Sequence, residues 1–263
     1  MLLDLHTHTN ASHDGITTQQ QLLDACVVRG INVLAITEHD KYASVDAGAF
    51  SARGITIIPG CEFTTDKGAH IIGLWVSDAF PAGNSRESIL RHIKQSGGLA
   101  IMPHPMKPGS GYLEIYQEDE CLRQFDFMEL VNGGWRAKGH WSRITELAEK
   151  YNIRLIASSD SHRLDHVGMC ATRLESGVHG LDLKEALMNC RQQDLKLMID
   201  QSLFSKQIRQ PNILQRAGFY KYVISVVPYA LRQAIKRRFH ALRKKTVVKT
   251  PNFVEISLDV PSW

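Results

Sequence analysis

The chain has 263 residues, 43% of them hydrophobic, and a formal net charge of +4, which suits a soluble globular protein with one barrel-sized core or two smaller ones. Its five cysteines, Cys26, Cys61, Cys121, Cys170 and Cys190, are scattered and form no C-x-x-C pair, so we expect reduced thiols rather than a disulfide framework. No run approaches the ~18 apolar residues of a membrane span, the strand-like start argues against a cleavable signal peptide, and the expected location is the cytoplasm.

Seven apolar runs in the first 200 residues are typical of β-strands. They fall near residues 2–6, 33–37, 55–60, 70–76, 99–103, 127–131 and 154–158. A strand followed by an amphipathic helical stretch recurs along this part of the chain, which favours βα units with parallel strands. The expected fold class is therefore α/β.

Three helices are predicted between these strands. The first begins at Thr17-Thr18, with Gln20 and Gln21 three residues further on, and ends at Gly30, because a capping box starts a helix and glycine often ends one. The second follows Asn84-Ser85 and stops at Gly97-Gly98. The third carries an apolar stripe of Trp141, Ile144, Leu147, Ala148 and Tyr151.

Histidines and carboxylates stand at the C-terminal ends of successive predicted strands. His6 and His8 alternate on one strand, so both imidazoles face the same side and can bind one ion. Because strand ends of a β/α barrel meet at one rim, such ligands can converge on a single pocket. The candidates are His6, His8, Asp14 or His13, His39, Glu62, His70, His104, Asp160 and His162. Nine ligands suit two or three divalent ions, and imidazole mixed with carboxylate fits Zn, Mn or Fe.

Five motifs follow one another between residues 4 and 162. They are Asp4-Leu5-His6-Thr7-His8-Thr9 with Ser12-His13-Asp14-Gly15, Ile36-Thr37-Glu38-His39-Asp40, Pro59-Gly60-Cys61-Glu62 with His70-Ile71-Ile72-Gly73, Pro103-His104-Pro105, and Ser159-Asp160-Ser161-His162. In kind and order they resemble the PHP (polymerase and histidinol phosphatase) superfamily of metal-dependent phosphoesterases. The resemblance covers roughly the first 200 residues.

The resemblance implies a distorted (β/α)7 barrel that holds up to three metal ions. The first ion would be held by His6, His8, Glu62 and Asp160, the second by Asp14, His39 and His162, and the third by Glu62, His70 and His104. Two departures from the family pattern stand out. The family usually has T-D-H where this chain has Thr37-Glu38-His39. The ligand that follows the H-x-H motif varies in spacing and type, so His13 could replace Asp14, although Asp14 is the favoured ligand.

Such a site suits phosphate. Three divalent ions, three carboxylates and a bridging hydroxide leave a positive charge that a phosphate dianion would neutralise. We therefore expect in-line attack of a metal-bridging hydroxide on phosphorus, with Asp160, Glu62 and His162 as catalytic residues. The expected substrate is a phosphomonoester, either a nucleotide or a small phosphorylated metabolite, or else a short oligonucleotide. Arg136, Arg163 and His166 are candidates for binding its phosphate, and Lys107 and His140 are lesser ones.

Other functions stay open from the residues alone. Relatives of the resembled family also include phosphatases for histidinol phosphate and phosphotyrosine. Amidohydrolase barrels also begin with an H-x-H strand, so the chain could instead be a metal-dependent amide or lactone hydrolase. Against this, Glu62 stands where those sites often use a modified lysine. A third alternative is a non-catalytic, metal-stabilised scaffold.

The charge distribution predicts a boundary near residue 200. Residues 1–200 hold 19 basic and 25 acidic side chains, whereas residues 201–263 hold 12 basic and 2 acidic ones. We expect a barrel over 1–200 and a basic, mostly helical extension over 201–263, with a basic amphipathic helix on Leu231, Ile235, Phe239 and Leu242. Through residues 201–250 this extension would bind an anionic membrane surface, bind nucleic acid, or dock on the acidic barrel. Residues 253–258 look like a short strand, and the oligomeric state is left open.

Overall fold

The structure, a computed structural model, describes residues 1–76, 80–135, 138–175, 182–202 and 248–256. The strands are β1 Leu2–Thr7, β2 Val33–Ile36, β3 Thr56–Thr64, β4 His70–Leu74, β5 Leu99–Met102, β6 Phe127–Asn132, β7 Arg154–Ser158, β8 Cys170–Leu174, β9 Leu195–Asp200 and β10 Phe253–Ile256. The helices are α1 Gln19–Arg29, α2 Ala47–Ser51, α3 Arg86–Gln95, α4 Tyr112–Ile115, α5 Trp141–Tyr151 and α6 Leu183–Asn189. Short 3-10 turns lie between them.

Within these residues the strands form one mixed sheet in the order β10-β9-β8-β1-β2-β3-β4-β5-β6-β7. One apolar cluster takes members from every strand between β1 and β7, including Leu3, Val33, Ile58, Ile101 and Ile156. Strands far apart in the sheet order can share one cluster only if the sheet curls around it. The fold is therefore a mixed α/β fold with a curled, barrel-like sheet, as expected for the fold class.

All seven predicted strands are present, but the expectation that they are all parallel is wrong. Strand β4 runs antiparallel to both β3 and β5. The reason is the connection between β3 and β4, which is residues 65–69, because a parallel neighbour needs a crossover of about a dozen residues or more. Strands β8 and β9 are additional, and β8 pairs antiparallel with β1.

Contacts just beyond the end of β7 close the sheet against β1. The backbone N–H of Asp160 donates to the carbonyl of His6 at 2.9 Å, and the N–H of His8 donates to the carbonyl of Ser161 at 2.9 Å. Below them, the N–H of Ser159 donates to Oδ1 of Asp4 at 2.9 Å. This closure places the segment that carries Asp160 beside the segment that carries His6 and His8.

The three predicted helices are confirmed as α1, α3 and α5. Helix α1 begins with a capping box in which the Thr18 hydroxyl accepts from the N–H of Gln21 and the Gln21 side chain accepts from the N–H of Thr18. Thr18, not Thr17, is thus the cap, and Gly30 ends the helix. Helix α3 is capped by Ser85 and buries Ile89, Leu90 and Ile93.

A strand near the C-terminal end of the chain joins the sheet. Strand β10 pairs antiparallel with β9, from Phe253 opposite Asp200 to Ile256 opposite Leu197, so the predicted short strand returns to the sheet. The predicted basic amphipathic helix falls on residues 203–247, outside the described residues. The boundary near residue 200 stays a prediction. Among the helices that the structure describes, none has the length and apolarity to span a bilayer.

Candidate metal centre

The structure brings the predicted ligands together at one end of the curled sheet. Six of them lie in or just after strands, namely His6, His8, His39, Glu62, His104 and Asp160. His70 is the first residue of β4, His162 follows Asp160, and Asp14 lies in the loop before α1. Because β4 runs antiparallel, its first residue stands at the same end as the last residues of its neighbours.

Glu62 lies at the middle of this group. Its Oε2 is 3.3 Å from Nε2 of His6, 3.2 Å from Nε2 of His8 and 3.1 Å from Nδ1 of His39. Burial raises the pKa of the Glu62 carboxyl, but the surrounding imidazoles, first that of His6, lower it well below its ordinary value. Glu62 is therefore an ionised, buried carboxylate that can serve as a ligand.

The second oxygen of Glu62 faces two further imidazoles. Oε1 is 2.8 Å from Nδ1 of His70 and 3.2 Å from Nε2 of His104. The His104 ring is buried and the His70 ring is partly exposed, at 1% and 16%. One carboxylate thus has a separate group of histidines at each oxygen, an arrangement that suits a ligand shared by two ions.

Asp160 faces the histidines of the first strand. Its Oδ1 is 3.4 Å from Nε2 of His6, 3.6 Å from Nε2 of His8 and 3.4 Å from Nδ1 of His162. The two Nε2 atoms of His6 and His8 are 3.1 Å apart. Four ligand atoms held tetrahedrally at ~2.05 Å from an ion would be ~3.3 Å from one another. Together with Oε2 of Glu62, these atoms match that spacing.

Asp14, rather than His13, directs a side-chain oxygen toward two of the predicted ligands. Oδ2 of Asp14 is 3.2 Å from Nε2 of His162 and 3.6 Å from Nε2 of His39. The His13 side chain is 45% exposed, and its Nε2 is 3.8 Å from Asp14. The His13 ring lies against that of His39, with centroids 5.1 Å apart. The structure places the Asp14 carboxylate between these two histidines, and its role as a ligand stays a prediction.

The buried polar atoms test whether this set fits metal ions. Oε2 of Glu62 is buried close to three imidazole nitrogens, but within the described residues no group is aligned to donate a hydrogen bond to it. Burial lowers the pKa of His6, but the carboxylates of Asp160 and Glu62 outweigh it and raise that pKa well above its ordinary value. The same concentration of negative charge attracts divalent cations, and the nitrogen and oxygen donors suit Zn, Mn or Fe. The residues present therefore fit such ions.

Glu129 is a residue of this site that the sequence did not point out. It lies on β6, and its Oε1 accepts from Nδ1 of His6 at 3.0 Å. Its Oε2 accepts from the N–H of His104 at 2.8 Å and from Nδ2 of Asn132 at 2.6 Å. A carboxylate behind a metal-binding histidine fixes the ring and directs the other nitrogen to the ion. The available signal was an acidic residue inside the apolar run of residues 127–131.

We expect Glu129→Gln to weaken metal binding by about 10- to 100-fold, the usual effect of losing such a supporting carboxylate. Titration of the metal-free protein against a chromophoric chelator measures this. Glu146→Gln, on the exposed side of α5, is the matched control and should leave the affinity unchanged. Equal metal affinities in the two variants would show that Glu129 does not support metal binding.

Glu38 stands where the resembled family has aspartate. Its carboxylate accepts from the N–H of Thr9 at 3.1 Å and from the Thr9 hydroxyl at 2.5 Å. Glu38 is fully buried. Its contacts tie the segment that follows His8 to the segment that precedes His39, so the longer side chain serves to join two ligand-bearing segments.

The backbone of the site adopts unusual conformations. His104 and Asp160 have φ values of 30° and 47°, a left-handed region that non-glycine residues seldom occupy outside functional positions. Beside them, a side chain on Gly134 would lie 2.5 Å from Oδ2 of Asp160. A glycine at position 134 lets the end of β6 approach the Asp160 carboxylate.

Two of the three predicted phosphate-binding residues, Arg163 and His166, lie within the described part of the chain. The Arg163 guanidinium donates to both oxygens of Asp165, at 3.0 and 2.6 Å, and the partly buried His166 ends a short 3-10 turn. Arg136 falls outside the described residues. These three roles stay predictions. The lesser candidate Lys107 lies closest to the acidic ligands, with Nζ 3.7 Å from Oδ2 of Asp160.

Comparisons with known proteins show which family and fold this chain is similar to. A family model described as "PHP domain" matches residues 4–231. The 5′-3′ exoribonuclease Rnm of Salmonella typhimurium is 31% identical over 153 residues, 54% of this chain and 47% of that protein. A 3′,5′-nucleoside bisphosphate phosphatase of Chromobacterium violaceum is 33% identical over 105 residues, 36% of each chain. The chain thus spans half or less of the length of these two relatives.

Among solved structures, the fold is similar to that of a two-domain protein of Bacteroides vulgatus containing a predicted PHP-like metal-dependent phosphoesterase. The TM-score is 0.55 at 18% sequence identity, and the match covers 75% of this chain and 64% of that one. At this identity the likeness concerns the fold, and it supports a PHP-like barrel for the curled sheet.

Proposed function

The chain belongs to the PHP domain family, and we propose on that premise that it is a metal-dependent phosphoesterase that hydrolyses a phosphomonoester. The observation that carries the proposal is the Glu62 carboxylate, buried between five imidazoles that face its two oxygens. The two relatives that are named for RNA and for a nucleoside bisphosphate support a nucleotide, a small phosphorylated metabolite or a short oligonucleotide as the substrate.

We assign the ligands to two or three divalent ions. The sets are His6, His8, Glu62 and Asp160, then Asp14, His39 and His162, and then Glu62, His70 and His104. The short distances within each set support this assignment. Such ions supply hydroxide at neutral pH and neutralise the charge that develops on phosphoryl oxygens. Zn, Mn and Fe all accept these donors.

Glu62, Asp160 and His162 are the proposed catalytic residues because each contacts members of at least two sets. Oδ1 of Asp160 lies near both His6 and His162, and Nε2 of His162 lies near Asp14. Displacement of any of the three would therefore disturb more than one ion. The neighbouring imidazole of His6 keeps the Asp160 pKa well below its ordinary value against the effect of burial, so this carboxylate remains ionised.

Lys107 is the described cation best placed to hold a substrate phosphate, because it is partly exposed beside Asp160. We expect Lys107→Met, which keeps the length of the side chain and removes its charge, to lower kcat/KM by about 10- to 100-fold, the loss of one hydrogen bond to a charged group. Phosphate release and metal content are measured together. Lys94→Met, on the exposed side of α3, is the control and should leave kcat/KM unchanged. If the Lys107→Met protein binds fewer metal ions than the wild type, a role of Lys107 in substrate binding is contradicted.

A phosphate-release screen tests the proposed function. Purified protein with bound metal is assayed on nucleotides, sugar phosphates, histidinol phosphate, phosphopeptides and a 5′-phosphorylated oligonucleotide. We expect turnover of at least one class, abolished by a chelator and restored by Zn, Mn or Fe. Absence of release from all of them, together with hydrolysis of an amide or lactone, would contradict the proposal. Binding of nucleic acid or of a membrane through residues 201–250 remains a separate prediction.

A further inference from the structure

A cavity of about 310 Å³ opens at the C-terminal end of β3, and two of its lining residues, Asp40 and Phe63, directly follow the proposed ligands His39 and Glu62. Its lining is mostly aromatic and apolar, with three polar side chains. The lining residues are Asp40, Phe63, Thr64, Phe80, Pro81, Gly83, Asn84 and Ile89. Phe63 and Thr64 are consecutive on a strand and point to opposite faces, so the cavity wraps around the end of β3.

Backbone contacts connect this cavity directly to the proposed ligands. Asp40 follows His39, and its N–H donates to the carbonyl of Glu62 at 2.9 Å. Oδ1 of Asp40 accepts from the N–H of Thr64 at 2.7 Å. Thr64 is also the register partner of His70 across β3 and β4. The lining residues Asp40 and Phe63 thus directly follow two proposed metal ligands, His39 and Glu62, at ~3.8 Å between neighbouring Cα atoms, and the lining residue Thr64 pairs across the sheet with a third, His70.

The aromatic part of the lining consists of one exposed ring and one buried ring. Phe80 is 52% exposed, whereas Phe63 is buried. The Phe80 ring lies 5.1 Å from the ring of Tyr42 and 6.5 Å from that of Phe63, centroid to centroid. An exposed aromatic ring that packs against neighbouring rings and lines a cavity is a surface on which a flat ligand can stack.

We propose that this cavity binds the nucleobase of a substrate whose phosphate lies at the metal centre. The inference rests on the proposed function and narrows its substrate to a nucleotide or the terminal nucleotide of an oligonucleotide. Aromatic side chains stack on bases of any sequence, and a ribose bridges the short gap between phosphate and base. The Asn84 carboxamide and the Thr64 hydroxyl line the same cavity and supply polar partners for the edge of the base.

Binding of adenosine tests this inference without any need for turnover, because adenosine has no phosphate to release. Calorimetry of the metal-loaded protein gives Kd for adenosine and for ribose. We expect the wild-type chain to bind adenosine more tightly than ribose, Phe80→Ala to weaken adenosine binding by about 10-fold, and Phe80→Tyr to restore it within a few-fold. Met188→Ala removes an apolar side chain of equal exposure, 52%, from α6 and should leave the Kd for adenosine unchanged.

Phosphate release from adenosine monophosphate and from ribose 5-phosphate is measured on the same samples. Phe80→Ala should raise KM for the nucleotide and leave KM for the sugar phosphate unchanged. Adenosine binding that is absent, or equal in wild type and Phe80→Ala, overturns the nucleobase site even when phosphate is released. Tight, Phe80-dependent adenosine binding without release of any phosphate supports the nucleobase site and contradicts the proposed function instead.

Discussion

Glu62→Gln is expected to lower kcat/KM for phosphate release by about 10³-fold, close to 4 kcal/mol at 1.36 kcal/mol for each factor of ten. Glutamine has nearly the same size as glutamate but only one carbonyl oxygen and no negative charge. The substitution therefore removes one of the two acceptors that face His6 and His70. Ions held by the two groups of histidines would lose the carboxylate that they share, and with it several kcal/mol of transition-state stabilisation.

Metal content and circular dichroism should be measured on the same preparation. We expect Glu62→Gln to keep the native spectrum and to hold fewer ions per chain than the wild type. Glu146→Gln, which removes the same charge from the exposed side of α5, should keep both the activity and the metal. A fully active Glu62→Gln protein would show that phosphate release does not depend on this carboxylate.

Arg29→Met is expected to destabilise the folded chain by 3–5 kcal/mol, the usual result of breaking a buried ion pair on one side. Nη1 of Arg29, the last residue of α1, is 3.0 Å from Oδ2 of Asp200, and both side chains are 1% exposed. The other oxygen of Asp200 accepts from the N–H of Ser202 at 2.9 Å and from the N–H of Asn252 at 3.4 Å. The substitution leaves this buried carboxylate without its cation.

Denaturant unfolding measures the effect, with Arg53→Met as the matched control. Arg53 pairs with Asp24 at 3.9 Å, and both side chains are about half exposed, at 48% and 57%, so its removal should change stability by less than about 1 kcal/mol. Burial raises the Asp200 pKa, but the hydrogen bonds from Ser202 and Arg29 lower it below 3.8. The stability that this carboxylate supplies is therefore present above pH ~4 and is lost as the pH falls further. Equal unfolding midpoints at pH 7 would contradict the account.

The sequence predicted the ligand-bearing strands because each combines a buried apolar run with a polar side chain at its end. It did not predict the antiparallel direction of β4, since periodicity does not carry direction and only the short connection decides it. Strands β8 and β9 were missed because Thr172, Arg173 and Lys196 interrupt their apolar runs. Both pair antiparallel in the sheet, where strands can carry polar residues on one face.

The sequence predicted that the histidines and carboxylates would meet in one pocket, but it did not decide between neighbouring loop residues or reveal the supporting carboxylate. Whether Asp14 or His13 faces the ligands depends on the path of the loop, which adjacent residues in a sequence do not reveal. Gly15 helps to set that path, because a side chain there would lie 1.8 Å from the carbonyl oxygen of Thr9. Glu129 was missed for a similar reason, since its role depends on the position of β6 opposite His6.

Anomalous diffraction from crystals grown with Mn or Zn tests the central claim most directly, namely that distant histidines and carboxylates form one polynuclear metal site. We expect two or three anomalous peaks in the pocket, one of them ~2.0–2.2 Å from Nε2 of His6, Nε2 of His8 and oxygens of Glu62 and Asp160. A protein that binds these ions in solution but shows no anomalous peak within ~3 Å of those four side chains would contradict the claim.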